Sequence, residues 1–240
     1  MTAIFEISSF KESYSSIPHF PSGTFVTKDS RKLEIYEIED KDVKAINTTL
    51  KAWKEILMDR VGNMRQLHST ENTSETKKKL QEDLEAAESY KELVSRFDTL
   101  FSEVFKKNGK SEKGTVSFKA LRDQDNNIQA LCSLSIKENH VYLGHIFSAP
   151  WNLKMNASIN EEHKPLVTKG CGTLLIANCY QEAQKWEKAE LRLKPLSNSY
   201  TYYKDYLGMN EDSQNDEFFY TVNPFKIPEI LTKRLSEISK

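Results

Sequence analysis

The stretch Pro165-Leu-Val-Thr-Lys-Gly170-Cys-Gly172-Thr-Leu-Leu-Ile-Ala-Asn-Cys-Tyr180 places two glycines, one residue apart, at the opening of an apolar helical pattern. Just upstream, the strand-like run His140 to Phe147 ends in Ala149-Pro150-Trp151-Asn152. A glycine turn at a helix start leaves backbone N–H groups unpaired and pointing outward, and the helix dipole adds partial positive charge there. That combination suits a phosphate or pyrophosphate. A Gly-x-Gly is equally the signature of a plain turn before a helix, so the order of the flanking elements has to decide between the two.

Working outward, Thr115–Arg122, Ile128–Lys137 and His140–Ser148 read as successive strands, with turns at Asp125-Asn126-Asn127 and Glu138-Asn139. This is an antiparallel meander. Further back, Lys32 to Glu39 alternates apolar and charged residues as a half-buried strand does, and Asp40 stands where a helix N-cap is wanted. Val43, Ile46, Leu50, Trp53 and Leu57 then follow at helical spacing. Residues 59–79 are polar, with a loop expected from Ser69 to Ser74, and Leu80 to Val104 forms the stripe of a second, long helix. That stripe could be a coiled-coil seam, but its irregular aromatic repeat favours packing on the rest of the fold. Lys106 to Lys113 is a basic loop whose charge reads as solvated. On the C-terminal side the pattern predicts a helix over 172–187, a strand over Ala189–Lys194, a short Tyr-rich helix over Ser197–Tyr206, a strand over Glu217–Val222 and a closing helix over Pro228–Ser239.

The 240 residues suit one large domain with extensions: residues 1–31, a core over 32–223, and a C-terminal helix, 224–240, packed on it. The net charge of −1 sets up no global field towards nucleic acid or membrane, so neither is expected as a partner. With a mean hydropathy of −0.63 there is no apolar run of membrane-spanning length. The start Met1-Thr-Ala-Ile-Phe-Glu6 lacks a secretory pattern, which points to the cytoplasm. Cys132, Cys171 and Cys179 have no metal-ligand spacing and read as reduced thiols, and no metal is expected. Cys171 is either a reactive thiol activated by the helix start or a small residue filling a tight turn. Walker, G-x-S-x-G and HExxH patterns are absent, and a meander argues against a Rossmann site.

The whole order resembles the GNAT (Gcn5-related N-acetyltransferase) superfamily over roughly residues 32–223. Ser148-Ala149-Pro150 resembles the end of its fourth strand, Lys169 to Leu175 its pyrophosphate loop, and Asn198 to Met209 its late Asn…Tyr…Gly segment. The chain departs from the pattern in three places. Val167 stands where Arg or Gln is usual, residues 151–168 intervene between strand and loop, and Tyr203 lies one residue further from Gly208 than usual. The resemblance implies an α/β (α+β) fold with a mixed, mostly antiparallel sheet flanked by helices. It also implies a site for acetyl-CoA, or a longer acyl-CoA, as co-substrate. The pantetheine arm would pair with Ile146, Phe147 and Ser148, and the diphosphate would rest on Lys169, Gly170, Cys171, Gly172 and Thr173.

Acyl transfer to an amine needs a base for the ammonium proton and an acid for the leaving thiolate. The resemblance points to Tyr203 as the acid, with Tyr202 and Tyr206 as neighbours that could substitute. His145 is a candidate base, or else a hydrogen-bonded sheet histidine on one face with Leu143 and Phe147. Asn198 either caps the short helix or touches the pantetheine. The function implied is transfer of an acetyl group to a primary amine, on a small molecule or a protein, by direct attack in a ternary complex, in a monomer or homodimer. The alternative is a catalytically degenerate module that binds a protein partner through helix 76–106.

Overall fold

The computed structural model describes residues 24–27, 30–106, 116–153, 168–188, 190–195, 199–206, 209–214, 217–222, 224 and 229–238. Its centre is the meander of β3 (Val116–Asp123), β4 (Ile128–Ile136) and β5 (His140–Ser148), paired antiparallel in that order. The β3–β4 turn is tied by Asp123, whose Oδ1 accepts the N–H groups of Asp125 and Asn127, each at 2.9 Å. Outside β3 lie β2 (Lys32–Glu37) and then β1 (Thr24–Val26), both antiparallel. On the other side the chain leaves β5 and passes through α3 (Cys171–Lys185). It returns as β6 (Glu190–Leu193), parallel to β5. β8 (Glu217–Val222) follows antiparallel to β6, and β7 (Asn210–Gln214) lies at the edge. The eight-stranded sheet therefore has the order β1-β2-β3-β4-β5-β6-β8-β7, with β5–β6 its parallel pair. It is a mixed, mostly antiparallel sheet with helices on both faces.

One face carries α1 (Val43–Thr70) and α2 (Ser74–Lys106). The connection is shorter than the polar stretch suggests, being only Glu71 to Thr73, where the Glu71 carboxylate accepts the N–H groups of Asn72 and Thr73. Residues 59–70 stay helical because Val61 and Met64 meet Leu84 and Ala87 of α2 in a small cluster of their own. The start of α1 is also shifted from the expected cap at Asp40. Asp40–Asp42 is a 3₁₀ turn, and it is the Asp42 carboxylate that takes the Glu39 N–H, at 3.0 Å. Further along, Trp53 of α1 and Phe97 of α2 meet Phe147 edge-on, and Phe97 does the same with Phe118. Each of these fully buried rings contributes on the order of 1.5–3 kcal/mol by leaving water. The apolar stripe of α2 thus packs on α1 near its start and on the sheet further along.

The opposite face carries α3 and α4 (Glu229–Ile238). Leu174, Leu175, Cys179 and Ala183 of α3 pack with Leu231 and Leu235 of α4 over Cys132, Leu134, Val141 and Leu143 of the sheet. Lys119 of β3 reaches Glu182 of α3 at 2.8 Å, a largely buried ion pair that fixes the helix over the sheet.

Candidate functional site

The site begins where two strands part. β6 pairs with β5 only from His140↔Glu190 to Leu143↔Leu193, while β5 stays paired with β4 as far as Ser148↔Ala130. At the parting point, Leu134 faces Leu143 and Ser133 faces His145, so Gly144 is an extra residue, a β-bulge. A β-carbon on Gly144 would come 3.1 Å from Ser133 Oγ. The bulge reverses which face each following residue occupies. Val141 and Leu143 pack on the α3 side, whereas His145 and Phe147 meet Phe97 on the α2 side. Plain alternation groups Leu143 with His145 and Phe147; the bulge separates them and turns the histidine towards α2.

The same ladder settles where the backbone points. The Ala149 N–H donates to Gln129 O at 2.8 Å. By antiparallel alternation, Phe147 and His145 bond to β4, while the N–H and C=O groups of Ile146 and Ser148 face away from β4, towards the gap left by β6. Between α2 and the diverging strands lies a cleft of about 640 Å³, bordered by Tyr90, Arg96, Ser133, His145, Ile146 and Tyr203 among others. His145 Nδ1 is 2.9 Å from Ser133 Oγ, and the ring stands edge-on to Phe97. Burial, and then the charge of Arg96, hold its pKa below the ordinary value. The imidazole is therefore neutral at physiological pH.

The glycine turn is anchored to the end of β5. Asn152 Oδ1 accepts the Thr168 N–H at 2.7 Å, and Asn152 Nδ2 donates to Gln129 Oε1 at 2.9 Å. Trp151 Nε1 donates to the same oxygen at 3.0 Å, and Gln129 Nε2 donates to Asp123 Oδ2 at 2.8 Å. Arg60 of α1, its pKa lowered by burial, donates to the Pro150 carbonyl at 3.1 Å. The end of β5 and the residue that leads into the glycine turn are thus tied to each other. Gly170 precedes α3 with φ +83°, a left-handed conformation that favours glycine, and any side chain there would collide with Ile238 of α4. Gly172 sits inside the first turn, where an added β-carbon would meet only Ser148 Oγ, at 3.6 Å. Cys171 is buried, donates its thiol to Thr168 O at 3.3 Å, and has its pKa pushed up to about 12 by burial. It fills a tight turn and is not a reactive thiolate.

Tyr203 borders the cleft from the far side, on a π-helical turn, Tyr202–Tyr206. Met209 N–H donates to Tyr203 O at 3.1 Å, which closes a turn wider than an α-turn. Gly208, like Asn198, lies outside the described residues. Burial, then the neighbouring Tyr202, raise the Tyr203 pKa and keep it protonated at neutral pH. Tyr202 bonds Thr173 at 3.3 Å between hydroxyls. Sequence reasoning missed Tyr90 as a site residue because it sits within an ordinary apolar stripe. Its hydroxyl donates to the Ser148 carbonyl, and its pKa is raised by burial, with Tyr203 and Cys171 close enough to add to the effect.

Of the residues singled out in the sequence, His145, Ile146 and Tyr203 border the cleft. Lys169, Gly170, Cys171, Gly172 and Thr173 lie together at the start of α3. Phe147 turns its ring into the α2 core. Among the described residues no helix is long and apolar enough to cross a membrane.

No family model matches this chain, and no curated protein does. Among solved structures, the PaiA N-acetyltransferase from Thermoplasma acidophilum, in complex with coenzyme A, is 15% identical with a TM-score of 0.39, covering 80% of this chain and 98% of its own. The spermidine/spermine N-acetyltransferase SpeG from Vibrio cholerae, in mutant forms, is 13% identical with a TM-score of 0.40, covering 80% and 95%. The ribosomal-protein-S18-alanine N-acetyltransferase from Escherichia coli is 16% identical with a TM-score of 0.35, covering 53% and 79%. Likenesses of this strength assign no activity to the chain.

Proposed function

We propose that the protein is an acyl-CoA-dependent N-acyltransferase of the GNAT type, moving an acetyl group from acetyl-CoA to a primary amine. The observation that carries this reading is the parting of β6 from β5 at the Gly144 bulge, next to a glycine turn fastened to the end of β5. A strand edge with outward-facing N–H and C=O groups at Ile146 and an outward-facing N–H at Ser148, whose C=O already accepts from Tyr90, suits an extended pantetheine arm as a partial added strand. The first-turn N–H groups of α3, at Cys171, Gly172 and Thr173, suit the diphosphate, with Lys169 beside them. The lack of a side chain at Gly172 leaves room for close approach.

The chemistry needs no covalent enzyme intermediate, and the buried, protonated Cys171 offers no nucleophile for one. His145, neutral and tethered through Nδ1 to Ser133, accepts the ammonium proton at Nε2, directly or through water. The freed amine nitrogen forms a bond to the thioester carbonyl carbon and gives up its second proton through water to solvent. The C–S bond breaks, the thiolate takes the Tyr203 hydroxyl proton, and His145 returns its own proton to solvent. Solvent then reprotonates the phenolate.

The test is calorimetric binding of acetyl-CoA to the wild type and to Gly172→Glu. The position tolerates a side chain structurally but would set a carboxylate against the diphosphate. Micromolar binding to the wild type that vanishes in the variant supports the reading. Absence of binding to a folded wild type overturns it.

A further inference from the structure

Past the Gly144 bulge, β5 turns the peptide groups of Ile146 and Ser148 away from β4. The two are not equivalent. The pairing with β6 stops at Leu143, which leaves the Ile146 carbonyl facing the gap. The Ser148 carbonyl faces it too, but already accepts the Tyr90 hydroxyl of α2. A donor lies on the side to which its acceptor carbonyl points, so the Tyr90 hydroxyl stands in the gap itself. The phenol ring borders the cleft and meets Phe147 edge-on, with 6.2 Å between centroids. It therefore screens the second lone pair of the Ser148 oxygen from the cleft.

Ser148 is also where β5 meets the glycine turn, since a β-carbon on Gly172 would lie 3.6 Å from Ser148 Oγ. A donor whose diphosphate rests on the first turn of α3 passes Ser148 first, then Ile146, and reaches the bulge and His145 last. A flexible arm carrying amide N–H groups can pair at either outward carbonyl. The two pairings differ by two residues, roughly 7 Å along the strand. Pairing at Ser148 leaves the thioester short of His145 and Tyr203 by that distance.

We infer that Tyr90 is a positioning residue that fixes the register of the donor. By covering the Ser148 carbonyl it draws the pantetheine arm out to Ile146 and brings the thioester to the bulge. This rests on the transferase reading above. Burial raises the Tyr90 pKa, so the hydroxyl keeps its proton and the cover holds at neutral pH.

The experiment uses acetyl-CoA isotope-labelled at the acetyl carbonyl carbon, followed by carbon NMR without any acceptor amine. It is bound to the wild type, to Tyr90→Phe and to Tyr90→Met. Tyr90→Phe removes one oxygen atom and leaves a ring against Phe147, and Tyr90→Met keeps an apolar side chain in the helix, so circular dichroism should match the wild type. The wild type should show one bound carbonyl resonance. Each variant should show a second resonance, or one displaced towards free acetyl-CoA, as the arm pairs at Ser148. Calorimetry should find the variants binding acetyl-CoA as tightly as the wild type, within about twofold, or more tightly, because the edge has gained an acceptor and lost none. A support of the fold would instead lose affinity. A single resonance at the wild-type position in either folded variant overturns the inference, as does binding weakened beyond that margin; both results leave the transferase reading standing. Failure of the wild type to bind acetyl-CoA removes both.

Discussion

Replacing Asn152 with alanine tests whether the glycine turn is held in place by the end of β5. Asn152 makes one bond to the Thr168 N–H at 2.7 Å and one to Gln129 Oε1 at 2.9 Å. Each such bond contributes about 1 kcal/mol net, and stranding a buried N–H costs about 1–3 kcal/mol more. Thr168 is 3% exposed, so water has little access to replace the lost acceptor. The sum is a destabilisation of about 3–5 kcal/mol, or about 6–20 °C in Tm for a chain of this size. Trp151→Phe removes the indole bond to Gln129 and part of a buried ring that stands edge-on to Trp53, but keeps the acceptor for Thr168, and should cost about 1–2 kcal/mol, or about 2–8 °C. Thermal unfolding followed by circular dichroism measures both. Acetyl-CoA affinity, measured by calorimetry below the transition, should also fall about tenfold in Asn152→Ala, because the turn loses its fixed origin. A Tm within 2 °C of wild type for Asn152→Ala, or no difference between the two variants, would refute the anchoring described above.

The two glycines of the turn should answer differently to alanine. Gly170→Ala forces a left-handed residue against Ile238 and should lower stability by about 1–2 kcal/mol or more, whereas Gly172→Ala should be neutral or stabilising by up to about 1 kcal/mol; urea titration separates them. Tyr203→Phe should lower kcat by about 10²-fold or more while KM for acetyl-CoA changes less than about twofold, as expected for loss of a proton donor, and equal loss in KM would make the ring a packing group. Ser133→Ala should lower kcat/KM and move its acidic limb to lower pH, since a hydroxyl accepts more strongly from imidazolium than from imidazole; an unmoved limb would remove His145 from the role of base. Because the His145 pKa is depressed in the folded protein, the unfolded chain binds more protons below the ordinary histidine value of about 6.5. Stability is therefore full above that value and falls as pH drops from it through the folded pKa, and His145→Gln should lessen the fall, read as Tm against pH.

The meander was legible because its strands are apolar and its turns carry Asp and Asn at the right places, and β5 begins and ends where the sequence puts it. The hidden parts have local physical causes. The break between α1 and α2 falls inside the loop expected from Ser69 to Ser74, but the distal part of α1 buries only a narrow seam, Val61 and Met64, so its polar composition gave no helical stripe to read. β7, Asn210–Gln214, is a short polar edge strand with no apolar alternation to announce it. In the site, the residue types were legible but their geometry was not. The bulge at Gly144 depends on pairing with β4, which no local pattern encodes. The π-turn at Tyr203 depends on Met209 being drawn into the core. Tyr90 and Arg96 look like any other members of a long helix until β5 is laid beside them.

The closure of 153–167 by Asn152 and Thr168 also bears on how this site can change over evolutionary time. A loop whose ends are already pinned can lengthen with little thermodynamic consequence, since doubling its length costs only about 0.6 kcal/mol of closure entropy. A change in the number of residues between Asn152 and Thr168 therefore leaves the tie between them in place. The number of residues between the two can then vary from one descendant of the chain to another while the end of β5 and the start of α3 stay joined.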